Sequence, residues 1–182
     1  MPNYRRWYVP GGTYFFTVVS HHRRHILNTD LARPLLRQAF ATEIEATPFS
    51  LDAILLLPDH LHTIWTLPDG DTAYPDRWKR IKRRFSEEYL ARGGTEGDVS
   101  ESQRARNERG VWQPRYWEHV VRDEVDFKRC LDYVHWNPVK HGLATRVRDY
   151  PWSSFFKWVD LGEYDINWGE GEVPDVTGAE WD

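Results

Sequence analysis

Two apolar runs, Phe49 to Leu57 and His60 to Leu67, are separated by nothing but Pro58 and Asp59. Both are rich in branched and aromatic side chains, and so short a turn leaves them little choice but to fold back on each other as neighbouring strands. The second run opens His60-Leu61-His62. Successive side chains on a strand alternate faces, so both imidazoles project one way while Leu61 turns to the other. Imidazole is the commonest protein metal ligand, and such a pair needs only one or two oxygen donors from elsewhere to complete a divalent cation site.

The flanking elements follow from the same kind of pattern. Thr13 to Ser20 is a buried strand. Asp30 to Ala46 places Leu31, Leu35, Leu36, Ala39, Phe40 and Ile44 at helical spacing, with Asp30 as its cap and Pro48 as its stop. A second helix, Pro75 to Leu90, sets Trp78, Ile81, Phe85 and Tyr89 on one face and six cations around them. Ala91 to Gly110, with four glycines and few large apolar groups, predicts a mobile insertion without an element. Val111 to Val121 is a loop leading into an edge strand. Asp123 caps a third helix from Glu124 to about Trp136, where Pro138 biases Asn137 out of helical geometry, and Pro151 to Trp158 is a short last helix. Strand, helix, strand, strand, helix, strand is the α+β, ferredoxin-like split βαβ arrangement: an antiparallel sheet with helices mainly on one face. The chain divides into one domain over residues 1–159 and an acidic tail over 160–182.

The tail changes the meaning of the formal charge of −4. Eight acids and no Lys or Arg fall between Asp160 and Asp182, so the body carries 24 cations against 20 acids and is net basic. Ten tryptophans and nine tyrosines beside that charge offer faces on which single-stranded bases stack. Cys130 is the sole cysteine, which excludes an internal disulfide framework and a thiolate zinc cage and fits a reducing cytoplasm. No stretch approaches a membrane span, and no membrane partner is expected.

Candidate chemistry gathers on the third helix. Tyr133 and Asn137 stand four residues apart, on one side of it. A phenol is a possible nucleophile and a carboxamide oxygen a hard-metal ligand, so a cation held by His60, His62 and Asn137 would lie within reach of Tyr133. The cluster His21-His22-Arg23-Arg24-His25 is a solvated or phosphate-contacting loop, since five consecutive positions converge poorly on one ion. Asp59 either caps its own turn, the commoner role, or orients an imidazole. His119 and His135 stay outside the catalytic set. For DNA contacts the candidates are Arg5 and Arg6 at the amino end and Arg80, Lys82, Arg83 and Arg84 of the second helix; Arg115, Trp117 and Lys140 are secondary.

Asp59-His60-Leu61-His62 resembles the HUH motif of single-strand DNA endonucleases and transposases that use one catalytic tyrosine. With YRRWYVPGGTYFFTV, LPDHLHTIWTLPDGD, WQPRYWEH and DYVHWNPVKHGL in order, the chain from Tyr4 to about Trp158 resembles the REP-associated tyrosine transposases. The resemblance implies an HUH endonuclease fold, His60, His62 and Asn137 as ligands of Mg²⁺ or Mn²⁺, and Tyr133 as nucleophile. It implies a 5′-phosphotyrosine intermediate and a substrate of single-stranded, REP-like hairpins beside a guide tetranucleotide. A bacterial, nucleoid-associated cytoplasmic protein follows from it, with a monomer favoured over a dimer. The competing expectations are a hairpin-binding regulator with little or no cleavage activity and a metal hydrolase of small substrates. The tail, with Tyr164, Trp168 and Trp181 among its acids, is expected either to fold back over the basic cleft or to stay solvated.

Overall fold

A computed structural model describes residues 6–171, 174 and 176. Four strands, β1 (Thr13–Val19), β2 (Ser50–Leu56), β3 (His60–Thr66) and β4 (Trp117–Val120), form one sheet in the order β2-β3-β1-β4, every neighbour antiparallel. This is the α+β, split βαβ sheet expected from the order of elements. Helices α1 (Ala32–Ala46) and α2 (Tyr74–Ala91) share one face and α4 (Glu124–Lys140) with the short α5 (Phe155–Asp160) lies on the other, so helices cover both faces and not mainly one as expected, because alternate residues of the strands are apolar on both sides. Among the described residues no helix is long and apolar enough to cross a membrane.

Alternation along the strands sorts two cores. Tyr14, Phe16, Val18, Leu61 and Trp65 meet α1 and α2, with Trp65 stacked on Trp78 at 4.4 Å between ring centroids. Phe15, Leu55 and Ile64 meet Cys130, Leu131, Tyr133 and Val134 of α4. His60 and His62 share the parity of Ile64 and therefore lie under α4, paired in register with Val19 and Thr17 of β1.

The last helix begins at Phe155 and not at Pro151, and three further differences from the sequence reading bear on the site. At the start of α1 the Thr29 hydroxyl, not Asp30, accepts from the Ala32 amide at 3.2 Å, because Asp30 pairs with Arg33 instead. Residues 91–110 contain a five-residue helix, α3 (Glu101–Ala105), whose Ser100 and Gln103 form a reciprocal capping pair. The segment is fastened to the loop after β1: His21 Nε2 bonds the Asp98 carbonyl at 2.7 Å and Arg24 donates to the Thr95 and Gly110 carbonyls. Finally, α4 continues through Pro138 to Lys140. Its stop is Gly142, at φ 67°, where the Leu143 amide reaches back to the Pro138 carbonyl (2.8 Å) and Gly142 N to that of Val139 (3.0 Å). Those paired bonds are the Schellman ending that left-handed glycine permits.

The two helices on the first face are joined by a buried charge. Glu43 of α1, 0% exposed, accepts from Arg80 at 2.6 and 2.9 Å and lies 3.7 Å from Arg84. Burial alone would raise its pKa, but the bonds from Arg80 and Thr47 and the charge of Arg84 hold it below the ordinary carboxylate range. A depressed carboxylate contributes stability above its unfolded pKa of about 4.3 and loses it as pH falls through the folded value. Glu43→Gln should therefore cost about 2 kcal/mol at pH 7, below the 3–5 of a wholly enclosed pair, because the two arginine side chains stay 36% and 32% exposed. In urea melts the difference between variant and parent should narrow below about pH 4.

Candidate active site

The turn between β2 and β3 and the end of β1 set the two imidazoles. His60 Nδ1 bonds Asp59 Oδ1 at 2.6 Å, and Asp59 also accepts from Arg23 at 3.0 Å. Burial would raise the Asp59 pKa, yet the bonds from His60 and Arg23 lower it, so the carboxylate is well suited to orient the ring. The orienting role, which the sequence ranked second to turn capping, is the one the geometry displays. His62 Nδ1 faces Thr17 Oγ1 at 2.9 Å across the β1–β3 pair. Both histidines are buried, their rings 4.9 Å apart and nearly perpendicular. With each Nδ1 so engaged, Nε2 is the nitrogen each ring would offer a cation.

Helix α4 lies directly above. The Tyr133 ring sits 5.3 Å from His62 and 5.9 Å from Phe15, edge-on to both, and is 1% exposed. One turn on, Asn137 is 0% exposed, and among the described residues neither its amide oxygen nor its nitrogen has a hydrogen-bond partner. A carboxamide buried in that state costs several kcal/mol unless something polar meets it. Two imidazole nitrogens and one amide oxygen are together a donor set that could hold a divalent cation. Two further groups come to the same place: Lys140, which the sequence offered only as a secondary DNA contact, and His141, which it did not single out. Lys140 Nζ lies 3.4 Å from the Tyr133 hydroxyl, and the His141 ring is 5.8 Å from that of His60. Both depend on the last turn of α4, which the proline rule had removed.

His119, Asp126 and Cys130 also place ligand atoms within 4.8 Å of one another. There Asp126 already accepts from His119 at 2.8 Å and from Arg122 at 2.9 Å, so a guanidinium opposes any cation. His135 is enclosed between Ser154 and Tyr164, and burial drives its pKa down to about 3, a neutral core imidazole away from the pair.

The predicted DNA contacts divide. Arg80 and Arg84 pair with Glu43, as described, while staying 36% and 32% exposed, and Arg6 pairs with Glu118 at 3.5 Å. Arg6, Lys82 and Arg83 line a groove of about 850 Å³ between α2 and residues 106–116, together with Lys79, Arg106 and Arg109, which the sequence reading did not single out. Only Glu87 and Glu108 oppose these six cations in the lining. The guanidinium of Arg6 lies 4.3 Å above the Tyr116 ring, and Trp7 beside it is 73% exposed. Lys82 donates to the Gln113 carbonyl at 2.6 Å, while burial, with Arg6 adding repulsion, pulls its pKa down to about 8. Gln113 N bonds the Val19 carbonyl, and Val19 is the β1 partner of His60, so the groove ends one strand from the histidine pair. Arg5 and Trp181 lie outside the described residues. The described part of the tail packs through Tyr164 and Trp168 against α4 and α5, on the sheet face opposite α2.

No protein-family profile matches the chain. The chain is 39% identical over 180 residues to the REP-associated tyrosine transposase of Escherichia coli strain K12, covering 99% of this chain and 98% of that one. It belongs to the REP-associated tyrosine transposases. A Haemophilus influenzae relative that carries the same family name is 38% identical over 169 residues, 93% of this chain and 94% of its own. A solved structure of a REP-associated tyrosine transposase bound to a REP hairpin superposes with a TM-score of 0.78 at 39% identity, covering 97% of this chain and 96% of that one.

Proposed function

We propose that this transposase is a metal-dependent single-stranded DNA endonuclease and strand transferase. Its substrate would be a REP-type hairpin flanked by a short guide sequence, and Tyr133 its nucleophile. One observation carries the reading: α4 lays Tyr133 against His62 and a buried, unsatisfied Asn137 amide beside it, although these residues are about 70 positions apart in the chain. His60, His62 and Asn137 would hold the cation, which when bound polarises the scissile phosphate as a Lewis acid. The protein supplies the rest. Asp59 and Thr17 fix the two ring orientations, Phe15 fixes the plane of Tyr133, and the helix holds the phenol oxygen in place to attack phosphorus. As the Tyr133 oxygen bonds phosphorus, the bond from phosphorus to the 3′ oxygen breaks, leaving a 5′-phosphotyrosine and a free 3′-hydroxyl. Because the ester is retained, a 3′-hydroxyl can attack it in reverse and join strands without external energy.

The groove of Arg6, Lys79, Lys82 and Arg83 is proposed to carry the phosphates, with Trp7 as a stacking surface for an unpaired base. Arg80 and Arg84, which also join α1 to α2 through Glu43, lie outside that groove. If the Lys82 ammonium meets a phosphate, hairpin affinity should weaken as pH rises from 7 to 9 through its pKa of about 8. Lys82→Arg, charged throughout that range, should bind with a flat profile. Fluorescence anisotropy at constant ionic strength measures both.

Incubating the protein with an end-labelled single-stranded hairpin and Mn²⁺, then denaturing in detergent, tests the proposal as a whole. A labelled band at the mass of protein plus DNA is expected, absent with chelator. Tight binding without a band under any divalent cation would favour a hairpin-binding regulator.

A further inference from the structure

We propose that Lys140 is a catalytic residue of the cleavage step, keeping its ammonium against the Tyr133 oxygen and then against the phosphoryl group that this oxygen acquires. The inference rests on Tyr133 being the nucleophile. Three features of the structure lead to it. Lys140 Nζ is 3.4 Å from the Tyr133 hydroxyl and 4.9 Å from the centre of its ring, so the lysine spans both the oxygen and the π face. The tyrosine is 1% exposed while the lysine beside it is exposed, so a charge at the surface is held against a buried hydroxyl. The position exists only because α4 passes through Pro138 and ends at Gly142; residues seven apart then return to the same face after two turns.

The chemistry calls for a fixed cation there. A phenol with a pKa of about 10 is a weak nucleophile at neutral pH. When the bond from Tyr133 oxygen to phosphorus forms, the phenolic proton passes to solvent. The bond to the 3′ oxygen breaks with its electron pair, and that oxygen takes a proton from solvent. Lys140 takes no part in these proton transfers. Its charge faces the oxygen that loses a proton and the non-bridging oxygens that gather negative charge, an arrangement made before the reaction and so costing no reorganisation during it. Hydrogen bonds of this kind are commonly long before substrate arrives, which accounts for 3.4 Å.

The test compares wild type, Lys140→Met and Lys140→Arg in single-turnover adduct formation on the labelled hairpin with Mn²⁺, alongside hairpin affinity measured without metal. Methionine preserves the stem and removes the charge. The expected result is a saturating rate lowered about 100-fold in Lys140→Met, hairpin affinity changed less than about threefold, and at least a tenfold recovery of rate in Lys140→Arg. A Lys140→Met rate equal to wild type would overturn the inference while leaving the nucleophile reading intact. So would a loss confined to affinity with the saturating rate unchanged, which would make Lys140 a phosphate anchor only. No adduct with wild type would overturn both.

Discussion

Tyr133→Phe should bind the hairpin as the parent does and form no covalent adduct, a loss on the order of 10⁴-fold or more in cleavage. The change removes one oxygen and little else. The ring keeps its edge contacts with Phe15 and His62, and the site stays closed because Tyr133 is almost wholly buried. The cost to stability should be within about 1 kcal/mol, as for losing one modest hydrogen bond, so thermal melts would separate lost chemistry from lost folding. Anisotropy with the same hairpin gives affinity, and a denaturing gel gives the adduct. A phenylalanine variant that still forms the adduct would remove Tyr133 from the mechanism.

The second large effect is expected at His62, which is 0% exposed between Phe15 and Tyr133, with ring centroids at 5.4 and 5.3 Å. His62→Gln approximates the volume and cannot present the same ring nitrogen at Nε2. Cleavage should fall at least about 100-fold, given that even groups which only support a ligand are worth 10–100-fold. A separate readout follows from linkage. A cation that binds the folded state alone adds about 2.7 kcal/mol when present at 100 times its Kd. Mn²⁺ should therefore raise the melting temperature of the parent and leave that of His62→Gln unchanged. A variant that kept the full shift would place the cation elsewhere, with His119, Asp126 and Cys130 the next group to test despite the arginine on Asp126.

The parts of this site legible in the sequence are those set by local periodicity. A strand register is fixed by its buried face, so His60 and His62 were bound to point together once β3 was recognised. Tyr133 and Asn137 were bound to share a side of α4. What the sequence could not display is where long side chains end. Arg80 and Arg84 sit among the cations of α2, and only the α1–α2 packing turns them to Glu43 rather than to the groove. The end of α4 was misplaced for a different reason. A proline disfavours helical geometry in the residue before it, but only as a bias, and here the packing of a buried Asn137 and Pro138 on the sheet prevails. Gly142 was the stop signal in plain sight, and reading it would have extended the helix by the turn that carries Lys140 and brings His141 to His60. Asp59 was similarly split between a local and a tertiary role, and Arg23 from the far side of the turn favours the tertiary one.

Where the DNA is attached decides the account most directly. Adduct formed on a short hairpin with Mn²⁺ would be digested with protease and nuclease and the nucleotide-bearing peptide sequenced by mass spectrometry. The nucleotide is predicted on Tyr133, within the stretch from Cys130 to Lys140, linked through a 5′-phosphate. Attachment to any other tyrosine, or to none while the hairpin stays bound, would contradict it.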